Sequence, residues 1–373
     1  MMAPPIGFPV QDRDALLSPS LIVDRGILNR NLDAMLSMAR GVDRLRPHVK
    51  THKMPAIVRL WAAKGVTRHK VATIAEAEMT AGAGGTDVLL AYPVVGPNIA
   101  RLAALVRHFP NVVFRALVDD PNATRALSEG MSGLDRPLSV LLDLDVGMGR
   151  TGIAPAEEAE ALYQLIADLP NLVPDGLSSY DGHIHDLDRS TRAESARAGI
   201  EVTLRLRDRL LAKGLPVPRL VLGGTPTFPI HAALDEPNVE CSPGTCVLHD
   251  VNYATKYPDL PFTPAAALLT RVISRPRRGR LCLDLGHKAV AADPVGTRAT
   301  FPELPDAKVV IHAEEHLVID TSAADRYPPG STLLAFPNHV CPTCALHRRA
   351  YVVANGRVVD EWEVAARDRV LTY

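Results

Sequence analysis

The stretch Arg46-Pro47-His48-Val49-Lys50-Thr51-His52-Lys53 places a lysine between two histidines at the end of an apparent strand. Such a lysine suits Schiff-base chemistry. An amine that is to add to a carbonyl must be neutral part of the time, and burial among polar or cationic neighbours lowers a lysine pKa toward that condition. Pyridoxal phosphate is the cofactor that most often asks for this. Most clusters of Lys and His are solvated turns, so the reading depends on the elements that carry Lys50.

From about residue 25 to 245 helical patterns alternate with short β-branched runs, the signature of βα units around a parallel sheet. The candidate strands are Leu45 to Lys50, Lys70 to Ile74, Asp87 to Ala91, Val112 to Val118, Ser139 to Asp145, Gly176 to Tyr180, Leu220 to Gly223 and Asn238 to Cys241. Eight units over roughly 220 residues predict a (β/α)8 barrel of TIM type. Leu28, Leu32, Met35, Leu36 and Ala39 share one face of a helix ahead of the first strand, and a helix opening at Pro155 buries Leu162, Leu165, Ile166 and Leu169. After about residue 250 helical periodicity fades. Runs such as Ala265 to Ser274, Lys308 to Ile311 and Arg348 to Val353, punctuated by Pro and Gly, predict a mainly antiparallel β domain. The expected α/β chain divides into a barrel over 22–247 and a β domain built from 1–21 and 248–373.

Bulk composition narrows the partners. With 41 basic against 42 acidic residues the formal charge is −1, and no basic run is long enough to track a phosphate backbone, which argues against nucleic acid. The apolar stretches are short and broken by charge, and Met1-Met2-Ala3-Pro4-Pro5 has no basic n-region, so a cytoplasmic protein without a membrane partner is expected. Five dispersed cysteines do not make a disulfide framework. One of them is more useful as a ligand.

In a barrel of this kind the chemistry sits at the C-terminal strand ends. Strand alternation puts His48 and Lys50 on one face there and leaves Lys53 out of register. The fifth strand runs into Asp145-Val146-Gly147-Met148-Gly149-Arg150-Thr151-Gly152, which delivers Arg150 at the rim, and the sixth ends at Tyr180-Asp181-Gly182-His183. Gly223-Gly224-Thr225-Pro226 and Ser242-Pro243-Gly244-Thr245 follow the last two strands, where glycine turns ordinarily cradle phosphate. In the β domain, His339 and Cys341 lie two residues apart on an expected extended segment, which would give one cation two ligands. That pair suits zinc better than magnesium or manganese.

Taken together, Pro47-His48-Val49-Lys50-Thr51-His52-Lys53, Met148-Gly149-Arg150-Thr151-Gly152, Gly223-Gly224-Thr225-Pro226 and His339-x-Cys341 resemble the metal-activated D-threonine aldolase and D-serine dehydratase family, over roughly residues 18 to 365. The family belongs to the alanine-racemase-like, fold-type III pyridoxal phosphate enzymes, which are usually dimers. The resemblance implies that Lys50 holds pyridoxal phosphate, that Arg150 faces the pyridine nitrogen and that Tyr180 lies beside the ring. It assigns Gly223, Gly224, Thr225, Gly244 and Thr245 to phosphate, and His339 and Cys341 to a divalent metal. Tyr180-Asp181-Gly182-His183 looks more like the aldolases, whereas Cys341 is closer to the zinc-dependent dehydratases, which otherwise tend to show a His-x-Gly-x-Ser-Tyr run absent here.

The implied activity is retro-aldol cleavage of a small D-β-hydroxy-α-amino acid to glycine and an aldehyde, with His52, His183 or a metal-bound water as the base for the β-hydroxyl. The rival enzyme reading is a zinc-dependent D-serine or D-threonine dehydratase. A racemase would leave the metal pair without a task. A non-catalytic pyridoxal phosphate carrier would resemble the barrel alone, and the second domain argues against it.

Overall fold

A computed structural model describes residues 6–373; of the predicted 1–21 segment, the first five residues lie outside the described residues. It divides into two compact units. One comprises Leu36–Lys50, Pro55–Gly244 and Asp368–Tyr373; the other comprises the stretch ending at Met35, Thr51–Met54 and Thr245–Arg367. Strand β1 (Ser20–Asp24) belongs to the second unit, whereas β2 (Arg68–Val71), β3 (Asp87–Pro93), β4 (Val113–Val118), β5 (Leu138–Leu144), β6 (Leu172–Ser179), β7 (Leu220–Leu222) and β8 (Val239–Cys241) form the first unit's parallel sheet in sequential order.

The predicted first barrel strand is not a strand. Its segment joins the two sheet edges through bridges only, Leu45 to Cys241 on β8 and His48 to Lys70 on β2. The backbone donates from Arg46 to Cys241 (2.9 Å) and from His48 to Pro243 (2.9 Å), while Pro47, having no N–H, only accepts, from Lys70 at 3.0 Å. Beyond it Val49–Thr51 tightens into a 3-10 turn, so Lys50 leaves the extended register that strand alternation assumes. The helices agree better with expectation. Arg25–Ala39 buries Leu28, Leu32, Met35 and Ala39, and Glu157–Asp168 buries Leu162 and Ile166, although Ala156 caps it and Pro155 stays outside.

Charge closes the interior of this parallel unit toward the start of its strands. Arg46 pairs with Asp87 (2.7 Å), Asp87 with Arg115 (3.2 Å), Arg115 with Asp175 (2.6 Å), Asp175 with Arg219 (3.1 Å) and Arg219 with Glu240 (3.0 Å). Glu240 then returns to Arg46, which completes a ring of three arginines and three acids. Two residues further along their strands stand Leu89, Leu117 and Val221, and with Leu141 they make one buried apolar cluster. The two-residue period of a strand thus stacks an apolar layer on a charged one.

The second unit carries the sheet order β12-β13-β10-β9-β1-β15-β16, with β14 also pairing β9 and β11. Its strands are β9 (Ala266–Ser274), β10 (Arg280–Leu283), β11 (Ala299–Thr300), β12 (Lys308–His312), β13 (Leu317–Asp320), β14 (Thr332–Pro337), β15 (Arg349–Ala354) and β16 (Arg357–Glu363). Every pairing is antiparallel except β1 with β15. Strand β16 is missing from the sequence reading. Its signal is Asn355-Gly356, whose φ values of +51° and +78° are those of a two-residue hairpin turn. Among the described residues no helix is long and apolar enough to cross a membrane.

The charged ring carries the first prediction. Arg115→Met leaves the carboxylates of Asp87 and Asp175 buried beside one arginine each, and urea denaturation should show a loss of about 3–5 kcal/mol. Burial pushes the Asp87 carboxyl upward, but Arg46 and Arg115 outweigh it and hold the group below its ordinary 3.8. The corresponding stability is therefore present above pH 3.8 and is lost as pH falls through the lower folded value. Acid unfolding of Arg115→Met should set in at higher pH than that of the unaltered chain.

Candidate active site

Three cations surround one aromatic ring in the parallel unit. The Tyr180 ring, just past the end of β6, has the Arg150 guanidinium carbon 5.1 Å from its centroid, Lys50 Nζ at 5.6 Å and Lys70 Nζ at 6.0 Å. Each reaches it from a different element. Lys50 sits half-buried in the 3-10 turn, where its backbone N–H points at His48 Nδ1 (3.4 Å) and Val49 anchors the turn in the core. Arg150 is exposed on the glycine-rich turn after β5. Asp145 shapes that turn by accepting from the N–H groups of Gly147 (2.9 Å) and Gly149 (3.0 Å), and these bonds hold its carboxyl below the usual range.

Tyr180 itself is fixed by absent side chains. A Cβ on Gly182 would lie 2.2 Å from the ring, and one on Gly224 would lie 3.1 Å away, so both turns run directly against it. Below them is a network that sequence reasoning missed. Buried Asp181 takes His231 Nε2 at 2.7 Å and the Thr227 hydroxyl at 2.9 Å, and Thr227 Oγ1 accepts from Gly224 N at 3.3 Å. Burial alone would raise the Asp181 carboxyl; His231 and Thr227 outweigh that and lower it. Gly223, at φ +71°, is required because a Cβ there would sit 2.2 Å from the His231 ring. The Gly223-Gly224-Thr225 turn is thus held from beneath, with Thr225 buried, and Gly244 is buried at the end of the neighbouring turn after β8.

Lys70 is the other omission. It is 4 % exposed, and burial pushes its ammonium down to about 8, with Lys50 and Arg46 adding to that effect and Asp143 and Asp181 opposing it. Asp143, two residues past Leu141 on β5, is raised by burial, against the pull of Lys70. A lysine in the short strand Arg68-His69-Lys70-Val71 was a usable signal, since alternation aims it inward alongside His48. His183 is exposed and its charge helps depress Asp145.

In the second unit His339 ends the connection after β14, and Cys341 lies in the first turn of the helix Val340–Leu346. The expected extended segment is therefore corrected: Pro342 favours a first helical turn and the chain coils at once. The two side chains still meet. Burial disfavours the imidazolium of His339, but hydrogen bonds to Cys341 and to Asp293, which pairs with Nδ1, push it up to about 9. Cys341 Sγ also has the hydroxyls of Thr51 (3.2 Å) and Thr245 (3.5 Å) beside it. Among the described residues no group of three or more His, Cys, Asp or Glu could hold a metal. What exists is an imidazole and a thiol in contact, with a carboxylate on the imidazole's Nδ1, which is the usual support of a metal-binding histidine. His52 is buried with Nδ1 accepting the Met54 N–H (3.0 Å), and Lys53 Nζ is tied to the Ala366 carbonyl (3.3 Å).

The parallel unit meets the needs of pyridoxal phosphate. Three cations converge on one ring, the Nζ of Lys70 has no hydrogen-bond or ion-pair partner among the described residues, and hydroxyl-bearing glycine turns follow β7 and β8. Comparison with known proteins agrees. Residues 23–248 match the family described as alanine racemase, N-terminal domain, and residues 265–353 match the putative serine dehydratase domain. A D-threonine aldolase of Arthrobacter sp. is 32% identical, with 96% of each chain covered. A D-threo-3-hydroxyaspartate dehydratase of Delftia sp. is 26% identical, covering 94% of this chain and 98% of that one. The crystal structure of D-threonine aldolase from Filomicrobium marinum superposes with a TM-score of 0.88 at 30% identity, covering 98% of this chain and 99% of that one. The chain belongs to the alanine-racemase-like family of pyridoxal phosphate enzymes, in the branch that contains the D-threonine aldolases and the D-hydroxyamino-acid dehydratases.

Proposed function

We propose that this protein cleaves D-β-hydroxy-α-amino acids of the D-threonine type to glycine and an aldehyde, using pyridoxal phosphate and a divalent metal. The observation that carries the reading is the convergence of Lys50 and Arg150 on Tyr180, in a chain alike along nearly its whole length to a D-threonine aldolase. When bound, the cofactor supplies an electron sink for the pair released as Cα–Cβ breaks. Lys50 would hold it covalently through its ε-amino group. Arg150, permanently charged, would face the pyridine nitrogen and keep it unprotonated, while Tyr180 lies beside the ring. Gly223, Gly224, Thr225, Gly244 and Thr245 would hold its phosphate through backbone N–H groups and hydroxyls.

His339 and Cys341 would hold the metal, with zinc preferred and manganese or magnesium as alternatives, and Asp293 would fix the imidazole. When bound, the metal supplies a positive charge that eases loss of the β-hydroxyl proton. His183 is the better candidate to take that proton, because it is exposed and can exchange with solvent, whereas His52 is buried and its Nδ1 is engaged. The family likeness also supports a cytoplasmic homodimer. A second reading, dehydration of the same class of substrate, is favoured by the thiol at Cys341 and by the match to a serine dehydratase domain.

Three measurements test this. D-Threonine should give glycine and acetaldehyde; 2-oxobutanoate with ammonia would transfer the assignment to the dehydratase. Lys50→Ala should abolish the visible absorbance of the cofactor-loaded protein and lower kcat at least about a thousandfold, as loss of a covalent anchor does. Retention of the band would sink the assignment of Lys50. Because His339 keeps its proton up to about pH 9 before metal arrives, binding must displace that proton. Zinc affinity from calorimetry should therefore climb between neutral pH and about 9.

A further inference from the structure

Lys70 occupies an inward position on β2 between His48 on one side and the apolar Leu89 of β3 on the other. It pairs in register with Leu89 of the buried cluster, so it points into the parallel unit's interior, at 4 % exposure and with no hydrogen-bond or ion-pair partner for its Nζ among the described residues. The surrounding charges are Asp143 from β5, Asp181 after β6, Lys50 from the 3-10 turn and Arg46 from the segment before it. None of the acids neutralises it at contact distance. An uncompensated buried cation costs folding free energy, which points to an anion supplied from outside the chain.

The order of the sheet says which anion. Around Lys50 the sequence of neighbours is β7, β8, the segment at 45–48, then β2. The glycine turns proposed for phosphate follow β7 and β8, on one side of Lys50, and Lys70 stands on β2, on the other. In pyridoxal phosphate the aldehyde carbon is flanked on one side by the arm bearing phosphate and on the other by the ring hydroxyl oxygen. If the aldehyde joins Lys50 and the phosphate lies toward β7 and β8, that oxygen must lie toward β2. Both lysine ammonium groups already lie near the same Tyr180 ring, at 5.6 and 6.0 Å from its centroid.

We propose that Lys70 is a second cofactor-binding lysine, which donates from inside the parallel unit to the anionic ring oxygen beside the aldehyde carbon joined to Lys50. This deepens the cofactor reading above and rests on it. Its depth separates Lys70 from a substrate contact, because Arg150 is exposed and Lys50 half-buried while Lys70 lies beneath them. A protonated Lys70 would also make the proton on the Lys50 nitrogen easier to lose, since two positive charges then share one oxygen.

The test compares the loaded enzyme with Lys70→Met, Lys70→Gln and Lys70→Arg. Titration of dialysed protein with pyridoxal phosphate should show affinity about tenfold weaker or worse for Met and Gln, the loss expected of a charge-assisted hydrogen bond, and largely restored for Arg. The pH midpoint of the visible band should rise by about one unit in Lys70→Met. Without cofactor, Lys70→Met should melt at the same temperature as the unaltered chain or higher, because it removes a buried charge. Unchanged affinity and band midpoint, with only KM for D-threonine raised, would transfer Lys70 to the substrate carboxylate and overturn the proposal. A lower melting temperature for the apoprotein of both Met and Gln variants would make Lys70 structural and overturn it as well. If the unaltered protein takes up no pyridoxal phosphate, the cofactor reading itself fails, a result distinct from either of these.

Discussion

The ring formed by Arg46, Asp87, Arg115, Asp175, Arg219 and Glu240 is the constraint on which the parallel unit depends. Six ionised groups taken from water are tolerable only because each acid meets two arginines and the set is neutral as a whole. The ring also ties the segment at 46 to β3 and β8 through side chains, while its own ladder is reduced to single bridges to β8 and β2. Arg46 is fully buried, and Pro47 after it has no N–H to donate, so charge adds to the few backbone hydrogen bonds that hold the segment. The placement of Lys50, four residues on, depends on this anchor.

Counting upward in steps of two shows how one strand period distributes roles. Asp87 leads to Leu89, Arg115 to Leu117 and Arg219 to Val221 and then Gly223; Leu141 leads to Asp143. Charge closes one end, an apolar layer fills the middle and the polar groups of the mouth stand above. The apolar layer lies between two sets of charges, and the acids of the ring are already paired with its arginines, so none of them makes an ion pair with Lys50, Lys70 or Arg150 near Tyr180. Three cations gathered around one aromatic ring are suited to a phosphorylated, anionic cofactor.

Much of this was legible in the sequence. Alternation of βα units gives the parallel sheet, and motif resemblance singles out Lys50, Arg150 and Tyr180, which the fold does bring together. The route to Lys50 was not legible as read: strand alternation carries it inward on paper, whereas a 3-10 turn does so in the structure. Asn355-Gly356 carries an ordinary hairpin signal, and with it β16 is legible in the sequence. The Asp181, Thr227 and His231 network was illegible for a physical reason, since Asp181 comes from the connection after β6 and the other two from the connection after β7, and only the fold makes them neighbours. Asp293 on His339 is the same case, 46 residues apart in sequence.

Lys70 marks the point where local consistency and function part company. Strand propensity and packing against Leu89 of β3 would both favour an apolar residue at that buried position. The chain instead keeps a cation that burial destabilises, beside a carboxyl, Asp143, that burial raises toward its neutral form. Two buried groups whose environments push each toward loss of charge are poor material for a stable core. They are suitable material for a site whose charge is completed only when an anionic ligand arrives, and a ligand that binds the folded form alone repays the cost through linkage. On that argument the apoprotein is the strained state, and the sequence is adapted to the loaded one.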